Sequence, residues 1–278
     1  MSIFDGKSAL VTGASAGLGE EFALQLGDLG VTWLVITARR ADRLENLKNC
    51  LLAAYPAIRV DTFVVDLSDT AALAKFIGDL ESIQFSPDIL INNAGFGDLG
   101  TFETSEPEKI ESMLAVNVNA LTRLTHWAVR SMLAKKSGWI CNVGSTAGLI
   151  PLPSFAVYAA TKAYVNSFSE ALRTELRGSG IFVTALCPGP VETEFGQVAS
   201  RPTSHRQFAP PRFLCVDKAR VVKKTLRALA RGQGRIIPGL LVRLPMLVLE
   251  STPRWLLRFV FNLMSFQFRK ERSQAEKA

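Results

Sequence analysis

The 278 residues are 48% hydrophobic and 21% charged, a composition that builds a folded core and argues against a long disordered chain. Two histidines, His126 and His205, and four scattered cysteines, Cys50, Cys141, Cys187 and Cys215, argue against a histidine-based zinc site, a Ser-His-Asp triad or a disulfide framework, and predict reduced, buried or half-buried thiols. The net charge of +7 is uneven: residues 201–278 carry 17 basic against 4 acidic side chains, so the first 200 residues are acidic on balance.

The chain opens Met1-Ser2-Ile3-Phe4-Asp5, with an acid and no basic stretch before an apolar run, which predicts a cytoplasmic protein without a secretory signal. Ser8–Thr12 reads as a first strand. It runs into Thr12-Gly13-Ala14-Ser15-Ala16-Gly17-Leu18-Gly19 and a helix over Ala16–Leu29. A glycine-rich turn between strand and helix lets backbone approach a pyrophosphate, which the free N–H groups and dipole of the helix start would hold. The spacing is Gly-x3-Gly-x-Gly, not GxGxxG. Thr32–Ala38 reads as the second strand. An enzyme that prefers NAD places an acid about 20 residues beyond the glycine loop. Ala38 stands there, followed by Arg39 and Arg40, which suit the 2′-phosphate of NADP.

Further strands are expected at Val60–Val65, Ile89–Ile91, Gly138–Val143, Phe182–Leu186 and Arg235–Ile237. These runs are nearly all apolar, as strands covered on both faces should be. Asp66-Leu67 follows the third strand, and Asn92-Asn93-Ala94-Gly95 the fourth. Asp98, Glu103 and Glu106 read as a solvated loop. One long helix is expected over Glu108–Ala134, containing Asn117 and placing His126 in packing or on the surface. Ser145 follows the fifth strand, and a helix over Ala159–Arg177 comes next. Tyr158 and Lys162 are four apart and share a helix face, so an ammonium there would favour phenolate and lower the tyrosine's pKa. Ser145 can support charge developing on a carbonyl oxygen. Pro188 to Cys215 holds five prolines and reads as a substrate lid.

Taken in order, these motifs over residues 6–195 resemble the classical short-chain dehydrogenase/reductase family. The resemblance implies a catalytic set of Asn117, Ser145, Tyr158 and Lys162, with Asn117 anchoring a water that passes protons to Lys162. It implies NADP cradled by Gly13, Ser15, Gly17, Leu18 and Gly19, selected by Arg39 and Arg40, and met at the adenine by Asp66 and Leu67. Asn93, Ala94 and Gly95 would stabilise the sheet and line the cofactor. Pro188, Gly189, Val191 and Thr193 would contact the nicotinamide end, and Lys162 the nicotinamide ribose.

The expected fold is α/β, a single doubly wound, Rossmann-type domain with a parallel sheet of about seven strands in the family order 3-2-1-4-5-6-7. Residues 1–238 would form the dinucleotide-binding and catalytic domain, including the 188–215 lid. Residues 239–278 would be an apolar, basic extension of it. Three readings of that tail stand: cover for a lipophilic substrate pocket, a surface for a homo-oligomer, or a peripheral membrane contact through 239–270. No stretch of it reaches the roughly 18–20 uninterrupted apolar residues that span a bilayer. A small carbonyl or alcohol substrate and no metal are expected. Nucleic acid is not an expected partner, because the basic residues of the tail are interleaved with apolar ones.

Overall fold

The computed structural model describes residues 2–201, 210–253, 255–259 and 262. Its elements are β1 (Ser8–Thr12), α1 (Gly17–Asp28), β2 (Trp33–Ala38), α2 (Ala41–Ala54), β3 (Arg59–Val64), α3 (Thr70–Ser82), β4 (Ile89–Asn92), α4 (Pro107–Leu114), α5 (Leu121–Lys135), β5 (Gly138–Val143), α6 (Ala156–Glu175), β6 (Ile181–Leu186), α7 (Phe195–Ala199), α8 (Lys218–Ala230), β7 (Arg235–Ile236) and α9 (Leu240–Ser251). The seven strands form one parallel sheet in the order β3-β2-β1-β4-β5-β6-β7. The order reverses between β1 and β4, where Ala9 pairs with Leu34 on one side and Ile89 on the other. A crevice for ligand opens outside the strand ends at such a point.

Successive strand residues face opposite ways, so each run feeds two cores. Ala9 and Val11 pack with Phe22 and Leu26 of α1, Leu44 and Leu51 of α2, and Val222 and Leu226 of α8. Leu10, Val35, Leu90 and Ile140 pack on the other face against Leu73 and Phe76 of α3 and Leu124 and Met132 of α5. Two-sided burial is why the inner strands read as nearly all apolar runs. Asp69 caps α3 by accepting from Ala71 and Ala72 N, and Asp217 caps α8 by accepting from Arg220 N.

The structure departs from the sequence reading in four places. The helix expected over Glu108–Ala134 is broken by a π-helical stretch, Ala115–Ala120, between α4 and α5. Edge strand β3 is only partly covered, and Val64 is exposed. Cys141 and Cys187 are buried, but Cys50 is exposed on α2. Asp98 is not solvated. It is 6% exposed and held by Arg201, whose Nε and Nη2 donate to its two oxygens at 2.8 and 2.6 Å, and by Lys109 Nζ at 2.9 Å.

The lid and tail are partly described. Leu99 N donates to Ala199 O, and Leu99 and Val191 make parallel bridges with Ser200 and Val216. Residues 202–209 of the expected lid, with His205, and most of 254–278 lie outside the described residues. In α9, Val242 is buried with Ala185, Cys187 and Ile237, and Glu250 accepts two hydrogen bonds from Arg235 of β7 at 2.6 and 3.1 Å. Among the described residues no helix is long and apolar enough to cross a membrane.

Candidate active site

The ends of β1, β2, β4, β5 and β6 converge on a cleft of about 650 Å³. Every site residue named from the sequence lines it except Gly19 and Asn117, which stand just behind the wall.

The glycine loop forms one end. Gly17 has φ +62°, and a β-carbon there would lie 3.1 Å from Thr193 Cγ2. At Gly19 a β-carbon would meet Gly13 O at 2.2 Å, so only glycine lets α1 start this close to the turn. Asn93 pins the loop from β4: its Nδ2 donates to Thr12 O and Gly13 O at 3.0 and 3.1 Å, and Thr12 Oγ1 accepts from Asn93 and Ala94 N at 3.0 Å each. No side chain caps α1. Ala16, Gly17 and Leu18, at its start, line the cleft. Residues in that position can offer main-chain N–H groups to an anion.

Beside this loop the end of β2 offers Ala38, without a carboxylate, then two arginines. Arg39 is largely exposed, 4.0 Å from Asp66. Burial works to raise the Asp66 carboxyl, but hydrogen bonds from Ser68 and the Arg39 charge outweigh it and hold the group below the usual range. Arg40 pairs with Glu194 at 2.8 Å.

At the other end stand Ser145, Tyr158 and Lys162. The Ser145 hydroxyl accepts from Ala147 N at 3.0 Å and faces the Tyr158 phenol across the cleft end. Tyr158 is buried, and burial pushes its phenol up to about 12 while the Ser145 hydroxyl works against the rise. Lys162 Nζ donates to Val143 O at 2.8 Å and lies 5.8 Å from the centre of the Tyr158 ring. Burial brings this ammonium down to about 8. The expected lowering of the tyrosine is therefore absent here. Desolvation of the phenol prevails, and the ammonium is directed at a carbonyl.

Asn117 lies in the π-helical stretch, 1% exposed. Its Nδ2 donates to Phe96 O at 2.9 Å and Thr161 Oγ1 at 3.0 Å, and its Oδ1 accepts from Phe96 N at 3.1 Å. A β-carbon at Gly95 would lie 2.9 Å from Asn117 Oδ1 and 3.2 Å from Lys162 Nζ, so these two polar groups approach across a bare glycine.

Sequence reasoning missed the apolar wall around Tyr158. Phe155 and Phe195 tilt against its ring at 5.6 and 5.3 Å, and Phe96, Leu152, Val198 and Met246 complete the surface. The aromatic content was visible in the sequence, but its gathering from three separate connections, with Met246 of α9 beside it, was not. Among the described residues no three His, Cys, Asp or Glu side chains gather as a metal site.

The family model for short chain dehydrogenase matches residues 7–203. The very-long-chain 3-oxoacyl-CoA reductase of Aspergillus terreus is 35% identical over 185 residues, 64% of this chain and 51% of that protein, so the matched region spans about half of this relative. A short-chain dehydrogenase from Sphingobium yanoikuyae, solved in complex with NADPH, is similar with a TM-score of 0.76 and 31% identity, over 91% of this chain and 95% of that one. A short chain dehydrogenase/reductase from Burkholderia phymatum, solved with NAD, is similar with a TM-score of 0.73 and 28% identity, over 88% and 93%.

Proposed function

This chain belongs to the short chain dehydrogenase family, and from that membership we propose that it is an NADP-dependent oxidoreductase that interconverts a carbonyl and an alcohol of a lipophilic substrate. The observation that carries the reading is the meeting of Ser145, Tyr158 and Lys162 at the apolar end of a cleft whose other end is a glycine loop flanked by arginines.

The residues fit a nicotinamide dinucleotide: the cradle around Gly17 and Gly19 has no room for side chains. Gly13, Ser15, Gly17 and Leu18 would hold its pyrophosphate, Asp66 and Leu67 its adenine end, and Arg39 its 2′-phosphate. Asn93 to Gly95 and Pro188, Gly189, Val191 and Thr193 would line the path to the nicotinamide. The bound cofactor supplies or takes the hydride. Tyr158 gives a proton to the carbonyl oxygen in reduction and takes it back in oxidation. Ser145 donates a hydrogen bond to the same oxygen as charge develops there. Lys162 carries positive charge behind the phenol. Asn117, whose side chain holds the loop after β4 against α6, would anchor a water that passes protons to Lys162.

The wall of Phe96, Leu152, Phe155, Phe195, Val198 and Met246 supports a lipophilic substrate. Met246 brings α9 into that wall, which favours the tail as cover for the pocket. The opposite face of α9 supports a second contact: Leu240, Leu244, Leu247 and Val248 are exposed beside exposed Arg243, a pattern suited to an anionic membrane surface.

Measuring kcat/KM with NADPH and NADH against a panel of aldehydes and ketones tests the reading. One charge-assisted hydrogen bond to the 2′-phosphate contributes about 1.5–3 kcal/mol, so NADPH should be preferred roughly 10- to 150-fold. Ala38→Asp with Arg39→Ala should reverse much of this. Equal values in the unmodified protein would refute the assignment of NADP.

A further inference from the structure

Arg40 ties together three walls of the cleft. Its Nε and Nη2 donate to Ser15 Oγ at 3.3 and 3.2 Å, Nη2 reaches Ser15 O at 3.4 Å, and Nη1 donates to Glu194 Oε2 at 2.8 Å. Ser15 belongs to the glycine loop, Arg40 is the residue before α2, and Glu194 is the residue before α7. Arg43 Nη2 lies 4.0 Å from the other Glu194 oxygen. Among the described residues lining the cleft, Asp66 and Glu194 are the two carboxylates, and they stand against Arg39 and Arg40 respectively.

We propose that Glu194 sets the strength of cofactor discrimination by competing with the adenosine 2′-phosphate for the Arg40 guanidinium. The inference rests on the NADP reading above and adds a residue that opposes it. A phosphate dianion presents more charge and more acceptor oxygens to a guanidinium than a carboxylate does. The Arg40–Glu194 pair is about two-fifths exposed on both sides, 43% and 41%. Such a pair contributes little and can be exchanged. With NADPH, Arg40 leaves Glu194 for the phosphate, and the carboxylate remains as a nearby like charge. With NADH nothing competes, and the pair persists. Glu194 therefore weakens NADPH binding while leaving NADH binding alone.

Isothermal titration of the full chain with NADPH and with NADH tests this. Glu194→Gln should tighten NADPH binding about 2- to 5-fold, the range expected of an exposed ion pair, and leave the Kd for NADH unchanged. Glu194→Asp keeps the carboxylate and should keep the wild-type ratio of the two constants. In an Arg40→Ala background, Glu194→Gln should tighten NADPH binding less, because only the residual like-charge repulsion is left to remove. Equal tightening in both backgrounds would mean plain repulsion without the exchange at Arg40, and would overturn the proposal. Weakening of both cofactors together would make Glu194 a structural residue and overturn it as well. Failure of the cofactor reading is told apart in the wild-type protein: equal binding of NADPH and NADH there refutes both.

Discussion

Tyr158 sits under opposed influences, burial raising its phenol to about 12 and the Ser145 hydroxyl acting to lower it. Its hydroxyl should therefore matter to turnover and little to cofactor binding. Tyr158→Phe keeps the ring packed on Phe155 and Phe195 and removes only the proton carrier. Turnover should fall by about 10²- to 10⁴-fold, the usual range for losing a general acid or base, with the Kd for NADPH changed less than about 2-fold. Stopped assays and titration on the same preparation check this. Lys162→Met should damage both quantities, since Nζ binds Val143 O and faces the space beside Gly95. The spacing of Tyr158 and Lys162 told which residues share a helix face. It could not tell how far each side chain is desolvated, because that depends on Phe96, Phe155, Phe195 and Met246, drawn from distant parts of the chain. The direction of the tyrosine's shift was misread for that reason.

At the scale of the elements, the clasp around Asp98 joins the connection after β4 to the segment after α7. Burial would raise the Asp98 carboxyl, but the hydrogen bonds and charges of Arg201 and Lys109 bring it down to about 2 from 3.8. A carboxylate with a lowered folded pKa stabilises above the unfolded value, and the gain is lost as pH falls through the folded one. The clasp should thus contribute about 2 kcal/mol from neutral pH down to about pH 4 and lose it by about pH 2. Asp98→Asn should lower the urea midpoint at pH 7, and the gap from wild type should close between pH 4 and pH 2. A gap that stays constant across that range would mean the carboxylate's charge is not what holds the clasp. In the sequence Asp98 stands among Glu103 and Glu106 and looks solvated, because its partner Arg201 is remote in the chain. The π-helical stretch was equally hidden. Ala115-Val116-Asn117-Val118-Asn119-Ala120 contains neither glycine nor proline, so nothing local marks the break. The strands, by contrast, were readable to within a residue or two, since burial on both faces makes the inner ones nearly all apolar and polar turns bound them.

For the molecule as a whole, the outer face of α9 is an exposed apolar surface. If it meets lipid, the protein should co-sediment with anionic vesicles at low salt and release at high salt. Leu244→Glu with Val248→Glu, both on exposed positions, should abolish sedimentation without lowering the melting temperature appreciably. A protein that ignores anionic vesicles but dissociates from dimer to monomer on the same double substitution has a self-association surface there instead. The order of the sheet bears on how such a molecule comes to exist. Because all neighbouring strands are parallel, no pair is closed by a tight turn: Ala9 waits for Ile89, and Gly138 for Ile181. Folding must close long loops before those contacts reward it, which places refolding on the slow side of the range for single domains. During synthesis β1, β2 and β3 emerge before β4. Until β4 arrives, β1 carries a row of unpaired backbone groups open to other chains, so what ends as an interior strand of the sheet begins as an exposed edge.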